Sequence, residues 1–137
     1  MMIRILLCCG GGFSSSAIAQ KLSKEIREKE LTNQFQIQFY PFIMAPEIWN
    51  DFDIILCCPH LRIEIQKLLK EKTPPIPLYI LPPRMYGVMN LEEILFDVED
   101  ILEYYKLHPT QPVHFPGEEN ILRVTRNVAY RNTKKRA

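Results

Sequence analysis

The stretch IRILLCCGGGFSSSAIAQKL, residues 3–22, decides how the chain is read. Its opening residues are almost continuously aliphatic, as in a strand covered on both faces, and a strand is expected over 2–8. Three glycines stand at 10–12, and the serines at 14–16 are residue types that favour a helix N-cap. From Ser14 onward, Ile18, Leu22 and Ile26 recur every four residues among Gln, Lys, Glu and Arg, which predicts an amphipathic helix to about Glu30. A strand, a glycine turn and a helix in direct succession begin a β-α-β unit.

The pattern continues outward. Residues 34–40, QFQIQFY, alternate glutamine with Phe35, Ile37 and Phe39, a period of two that fits an edge strand with one wet face. After Pro41, a short helical turn is expected near 46–50. DIILCC at 53–58 reads as a buried strand stopped by Pro59, and Leu61, Ile65, Leu68 and Leu69 mark a helix to about Lys72. LYIL at 78–81 is a short fourth strand, and RMYGVMN at 84–90 is expected to be a loop. Asn90 and Glu93 then form a capping-box-like start to a helix striped by Leu91, Ile94, Leu95, Val98, Ile101, Leu102 and Tyr105. The expected fold is α/β: an open four-stranded parallel sheet flanked by helices, with a phosphatase-like phosphate loop after the first strand.

The 137 residues suit one domain, and 47% hydrophobic with 24% charged residues is ordinary globular composition. A net charge of +1 gives no overall argument for nucleic acid or an acidic membrane as a partner, and no nucleic acid is expected. No apolar run approaches the roughly 20 residues that span a bilayer, and MMIRILLCC lacks the features of a signal peptide. The expected location is therefore the cytoplasm, with reduced cysteines and no membrane insertion of the chain's own. Residues 1–107 are read as the domain. Residues 108–137, with six Lys/Arg against two Asp/Glu, are read as a basic, proline-containing extension, either loosely ordered or packed on it. Such a basic terminus is ordinarily solvated, although its charge would also suit docking on the acidic last helix, with Glu92, Glu93, Asp97, Glu99, Asp100 and Glu103, or on a partner.

In an open α/β sheet, ligands bind beyond the carboxyl ends of the strands. Glycines there let successive backbone N–H groups turn inward, and the following helix adds its own N–H donors and the positive end of its dipole. Such a nest favours an anion and would lower the pKa of a thiol at its mouth. Known phosphate motifs fail on inspection. Phe13-Ser14 stands where a nucleotide P-loop has Lys-Ser/Thr, and Ser15 stands where a dinucleotide fingerprint has its last glycine. A Cys-x5-Arg phosphatase loop counted from Cys9 or Cys8 ends on Ser15 or Ser14. Without a guanidinium to stabilise a hydrolytic transition state, the loop suits a relay that accepts phosphate and hands it on.

CGGGFSSSAI at 9–18 resembles the Cys-x-x-Gly-Met-Ser-Thr-Ser loop of IIB components of the phosphoenolpyruvate-dependent sugar phosphotransferase system, lactose/cellobiose/chitobiose class. DIILCCPHLR at 53–62 is similar to that family's third strand and Gly-Pro-Gln turn, and MYGVMN at 85–90 to its Tyr-Gly-x-Met-Asn/Asp segment. The resemblance covers roughly residues 2–106. It implies that Cys9 is phosphorylated by a phosphohistidine IIA protein, with Gly10, Gly11, Gly12, Phe13, Ser14, Ser15, Ser16 and Ala17 as the phosphate cradle. It implies a sugar held by a IIC membrane permease as the acceptor, a place near the membrane through that permease, and no cofactor or metal. Gly10 and Gly11 depart from the family's usual Ser and Ala, Phe13 from Met, Cys58 from Gly and His60 from Gln.

Blander readings stand beside these. Cys8 is read as the buried end of the strand. Cys57 and Cys58 with Cys8 and Cys9 would make a poor zinc site, because adjacent strand residues point to opposite faces. Cys58, Pro59, His60 and Tyr86 are candidates for the site rim; His60 would steady a phosphoryl group or shuttle a proton, or would be an ordinary turn histidine. His108 and His114 receive no role. The alternative function is a non-catalytic regulatory module that binds an anion or partner on the same fold. A thiol phosphatase or reductase is less favoured.

Overall fold

The computed structural model describes residues 2–8 and 13–133. The first strand, β1 (Ile3–Cys8), leads into α1 (Phe13–Glu28) and then β2 (Phe35–Phe39). A 3-10 turn at Phe42–Met44, the short α2 (Ala45–Ile48) and a second turn at Trp49–Asp51 lead to β3 (Ile54–Cys57). A turn at Pro59–Leu61 opens α3 (Arg62–Glu71), which is followed by β4 (Leu78–Ile80), α4 (Pro83–Val88) and α5 (Leu91–Leu107). Beyond a turn at Ile121–Arg123, the last element is α6 (Tyr130–Thr133).

The described strands form one parallel sheet in the order β2-β1-β3-β4. The unbroken apolar character of β1 has a direct cause in its two faces. Ile5 and Leu7 point into one core with Ala19, Leu22 and Ile26 of α1 and Leu91, Ile94, Val98 and Ile101 of α5. Leu6 and Cys8 point into the other, with Phe42, Trp49, Phe52, Leu61 and Ile65. β3 divides the same way, Ile54 and Leu56 against Ile55 and Cys57. β2 is the edge strand that its alternation predicts: Phe35 and Ile37 are buried, and Gln36 and Gln38 are exposed. Full burial of one such aliphatic side chain contributes about 1.5–3 kcal/mol.

The segment 84–90, expected to be a loop, is instead largely helical. Pro83 occupies the first turn of α4, where its fixed φ fits and its missing N–H costs nothing. Met85 is the buried residue of that helix, and Met89 ends it at a left-handed φ of 49°. Six residues with one buried position are too few to display a helical period. The Asn90 side chain then accepts from the Glu93 backbone N–H at 3.1 Å, the N-cap predicted for α5.

The C-terminal segment packs on the domain through residue 133. The Gln111 Oε1 accepts from the Leu78 N–H at 2.9 Å and its Nε2 donates to the Ile76 carbonyl at 2.7 Å. Val113 bridges Tyr79 in parallel and donates its N–H to the Leu78 carbonyl at 2.8 Å. These bonds cover the outer edge of β4, which would otherwise offer open backbone groups to another strand. Val113 and Phe115 join the same core as α5.

Candidate functional site

β1 and β3 are neighbours, while β2 and β4 lie to either side, so the sheet's topological switch point falls between the two central strands. Their carboxyl ends are in register, Cys8 opposite Cys57, and the Cys58 N–H donates to the Cys8 carbonyl at 3.2 Å. α1 begins at Phe13, one residue earlier than expected. The backbone of Phe13, Ser14, Ser15 and Ser16 therefore forms the first helical turn, whose N–H groups have no acceptor within the helix. Ala17 follows, exposed. Cys9, Gly10, Gly11 and Gly12, the candidates between strand and helix, lie outside the described residues.

The rim candidates separate into two kinds. Cys58 is buried with Cys8 and Cys57 in the core beneath the sheet. Pro59 opens the turn after β3 and is half-buried, and His60 is exposed on that turn. Tyr86, on α4, meets His60 edge to face, with ring centroids 5.7 Å apart and planes inclined by 72°. The turn after β3 and the helix after β4 thus share one aromatic wall at the carboxyl end of the sheet. Among the described residues, no group of three or more His, Cys, Asp or Glu side chains is arranged to hold a metal.

A second polar centre, not anticipated from the sequence, lies between β4, α5 and the tail. Arg126 donates from Nε and Nη2 to the two carboxylate oxygens of Glu118, at 2.6 and 2.9 Å. Its Nη1 reaches Asp97 Oδ2 at 2.8 Å and the Val128 carbonyl at 2.9 Å, and Nη2 reaches the Tyr79 hydroxyl at 2.7 Å. The Tyr79 hydroxyl in turn donates to Asp97 at 2.8 Å. One guanidinium lies between two carboxylates, and this sets the titration of the group. Burial alone would lower the Arg126 pKa, but the Glu118 hydrogen bonds and the surrounding negative charge hold it well above its ordinary value. Asp97 has only a share of that cation. Burial pushes its carboxyl above the usual range despite Arg126 and the Tyr130 N–H. Burial and the adjacent Asp97 also raise the Tyr79 hydroxyl.

The tail continues along the acidic face of α5. The Ala129 N–H donates to Glu93 at 2.7 Å, the Tyr130 N–H to Asp97 at 2.9 Å, and Arg131 binds Asp100 through both Nε and Nη2 at 2.9 and 2.8 Å. The segment thus lies on the acidic helix, the docking its charge allowed, and through residue 133 is not the solvated terminus that such a basic run ordinarily forms. One signal for its centre was present in the sequence. Asp97 sits inside the apolar stripe of α5, between Ile94 and Val98, where a buried carboxylate requires a partner.

An open parallel α/β domain, with a helix start and an aromatic wall around its central switch point, belongs to a class of proteins that bind ligands at the carboxyl edge of the sheet. The particular family follows from comparison. Residues 4–96 match the family described as PTS system, Lactose/Cellobiose specific IIB subunit, and the chain belongs to it. The solution structure of a cellobiose-specific phosphotransferase IIB component from Borrelia burgdorferi is similar at 30% identity and a TM-score of 0.56, covering 69% of this chain and 86% of that one. The lactose-specific IIB domain from Streptococcus pneumoniae is 15% identical with a TM-score of 0.49, covering 59% and 77%. Comparison with curated proteins gave no significant match. Membership makes the chain a sugar phosphotransferase component, in a family whose partners are IIA and IIC proteins. No described helix is long and apolar enough to cross a membrane.

Proposed function

We propose that Cys9 carries the phosphoryl group in a sugar-uptake relay. The observation that supports this most is the junction of β1 and α1: the strand ends at Cys8, the helix starts at Phe13, and the family match runs through both. In this reading the Cys9 thiolate attacks the phosphorus of a IIA phosphohistidine. The P–S bond forms as the P–N bond breaks, and the donor histidine is released. The backbone N–H groups of Gly10 to Ala17 and the hydroxyls of Ser14, Ser15 and Ser16 stabilise the transferring group in line. A sugar hydroxyl on the IIC permease then attacks phosphorus, releasing the thiolate and giving its proton to a base on the acceptor side. No metal or nucleotide takes part in this chain's step. The chain works in the cytoplasm, against the permease. His60 and Tyr86, with Pro59, form the wall that the incoming phosphoryl group meets.

The relative from Borrelia makes cellobiose the first acceptor to test. Incubation with phosphoenolpyruvate, the general phosphotransferase proteins and a cognate IIA should add the mass of one phosphoryl group to the wild type and none to Cys9→Ser. An unmodified wild type beside a demonstrably active donor would support a regulatory or anion-binding module on the same fold.

A further inference from the structure

We propose that Arg126, in the C-terminal tail, is a positioning residue for the aromatic wall of the site, acting through Met85. Arg126 is nearly enclosed, with 7% of its side chain exposed, and four acceptor groups hold its guanidinium in one plane: Glu118, Asp97, the Val128 carbonyl and the Tyr79 hydroxyl. The Phe115 and Tyr130 rings, stacked on each other 4.3 Å apart, lie beside it, with its central carbon 5.3 and 5.6 Å from their centroids. A guanidinium held this way is a rigid surface. The side chain set against it is Met85, whose Sδ lies 3.0 Å from Nη1.

Met85 belongs to α4, and it is the residue that buries that six-residue helix in the core. A helix this short has little stability of its own and takes its place from tertiary contacts. The next residue is Tyr86, half-buried, with its ring on His60. A shift of Met85 therefore carries Tyr86 with it, and Tyr86 shifts the contact with His60. The tail, through Arg126, sets one side of the site although its sequence lies outside the matched residues 4–96. The consequence for transfer rests on the Cys9 relay proposed above; the placement of the wall does not.

Removing Arg126 alone leaves two carboxylates without their cation, so the test combines Arg126→Met with Asp97→Asn and Glu118→Gln. Met85→Leu serves as a second variant, since it keeps the ion network and the apolar anchor of α4 and removes the contact between Sδ and Arg126. Both are first checked for native circular dichroism. The His60 ring protons, assigned by NMR against His60→Gln, report the Tyr86 ring, and single-turnover phosphorylation by phosphorylated IIA reports transfer. Both variants should shift the His60 signals in the same direction. Each should lower the maximal transfer rate about 10-fold or more, with the half-saturating IIA concentration within about two-fold, as expected for misplacement near a reacting group. Unmoved His60 signals in a folded variant would overturn the proposal, as would moved signals with an unchanged rate. If the triple variant does not fold, Met85→Leu decides. A wild type that is never phosphorylated would count against the relay, and the His60 signals would still decide the placement of the wall.

Discussion

The N-terminal strand and helix meet the core chiefly through apolar surface, whereas the C-terminal segment adds a buried network of charge and hydrogen bonds to the apolar contacts of Val113 and Phe115. In β1 and α1, Ile5, Leu6, Leu7, Leu22 and Ile26 are buried, and the pairs Lys21–Glu25 and Lys29–Glu92 lie at the surface at 3.5 and 3.6 Å. In residues 111–132, Gln111, Arg126, Arg131 and Asn132 each bind named partners on β4 or just before it, on α5 or on their own segment. Apolar attachment is non-directional and tolerates small movements. Attachment by a buried guanidinium is directional and fails abruptly when one partner is lost. The difference suits their positions. β1 must hold up a loop against the whole sheet, while the tail must hold one short helix at one place.

The largest expected effect is on the charged side of this comparison. Arg126→Met should destabilise the fold by about 3–5 kcal/mol in chemical denaturation, because Asp97 and Glu118 remain enclosed without their cation. Adding Asp97→Asn and Glu118→Gln should recover most of that loss. A triple variant as unstable as the single one would mean that packing, not charge, dominates the tail. On the apolar side, Leu22→Ala should cost about 2–5 kcal/mol from lost burial and a partly filled cavity, with little dependence on salt. A marked salt dependence there would break the distinction between the two attachments. Arg131→Ala marks the small end of the scale. Its pair with Asp100 is bidentate but well exposed, so removal should cost under about 1 kcal/mol and the cost should shrink further in added salt.

The same contrast explains what could be read in advance. The two-sided burial of β1 and β3, the alternation of β2 and the stripe of α5 are all local patterns, and the structure carries each at or near its expected bounds. α4 was missed because Met85 is buried by residues far along the chain, and six residues hold no period to reveal it. The acidic face of α5 and the basic tail were visible as complementary charge. That Arg126, rather than Arg123 or Arg131, is the enclosed cation was not. Its partners lie 8, 29 and 47 residues away, and nothing local distinguishes it.

For the candidate site, the Cys9 thiol, the glycines and the serines were legible as chemistry, since the residue types and spacing that favour an anion nest are adjacent in the chain. His60 and Tyr86 were legible only as separate rim candidates, 26 positions apart. The sequence by itself determined the layered α/β architecture and the strand-to-helix junction at which the anion site is proposed, because both depend on periodicity and neighbouring residues. Only the tertiary structure decided that His60 meets Tyr86 and that Arg126 braces the helix carrying that tyrosine. Those contacts depend on which strands lie side by side and where the tail crosses the sheet edge, and the folded chain alone sets these distances.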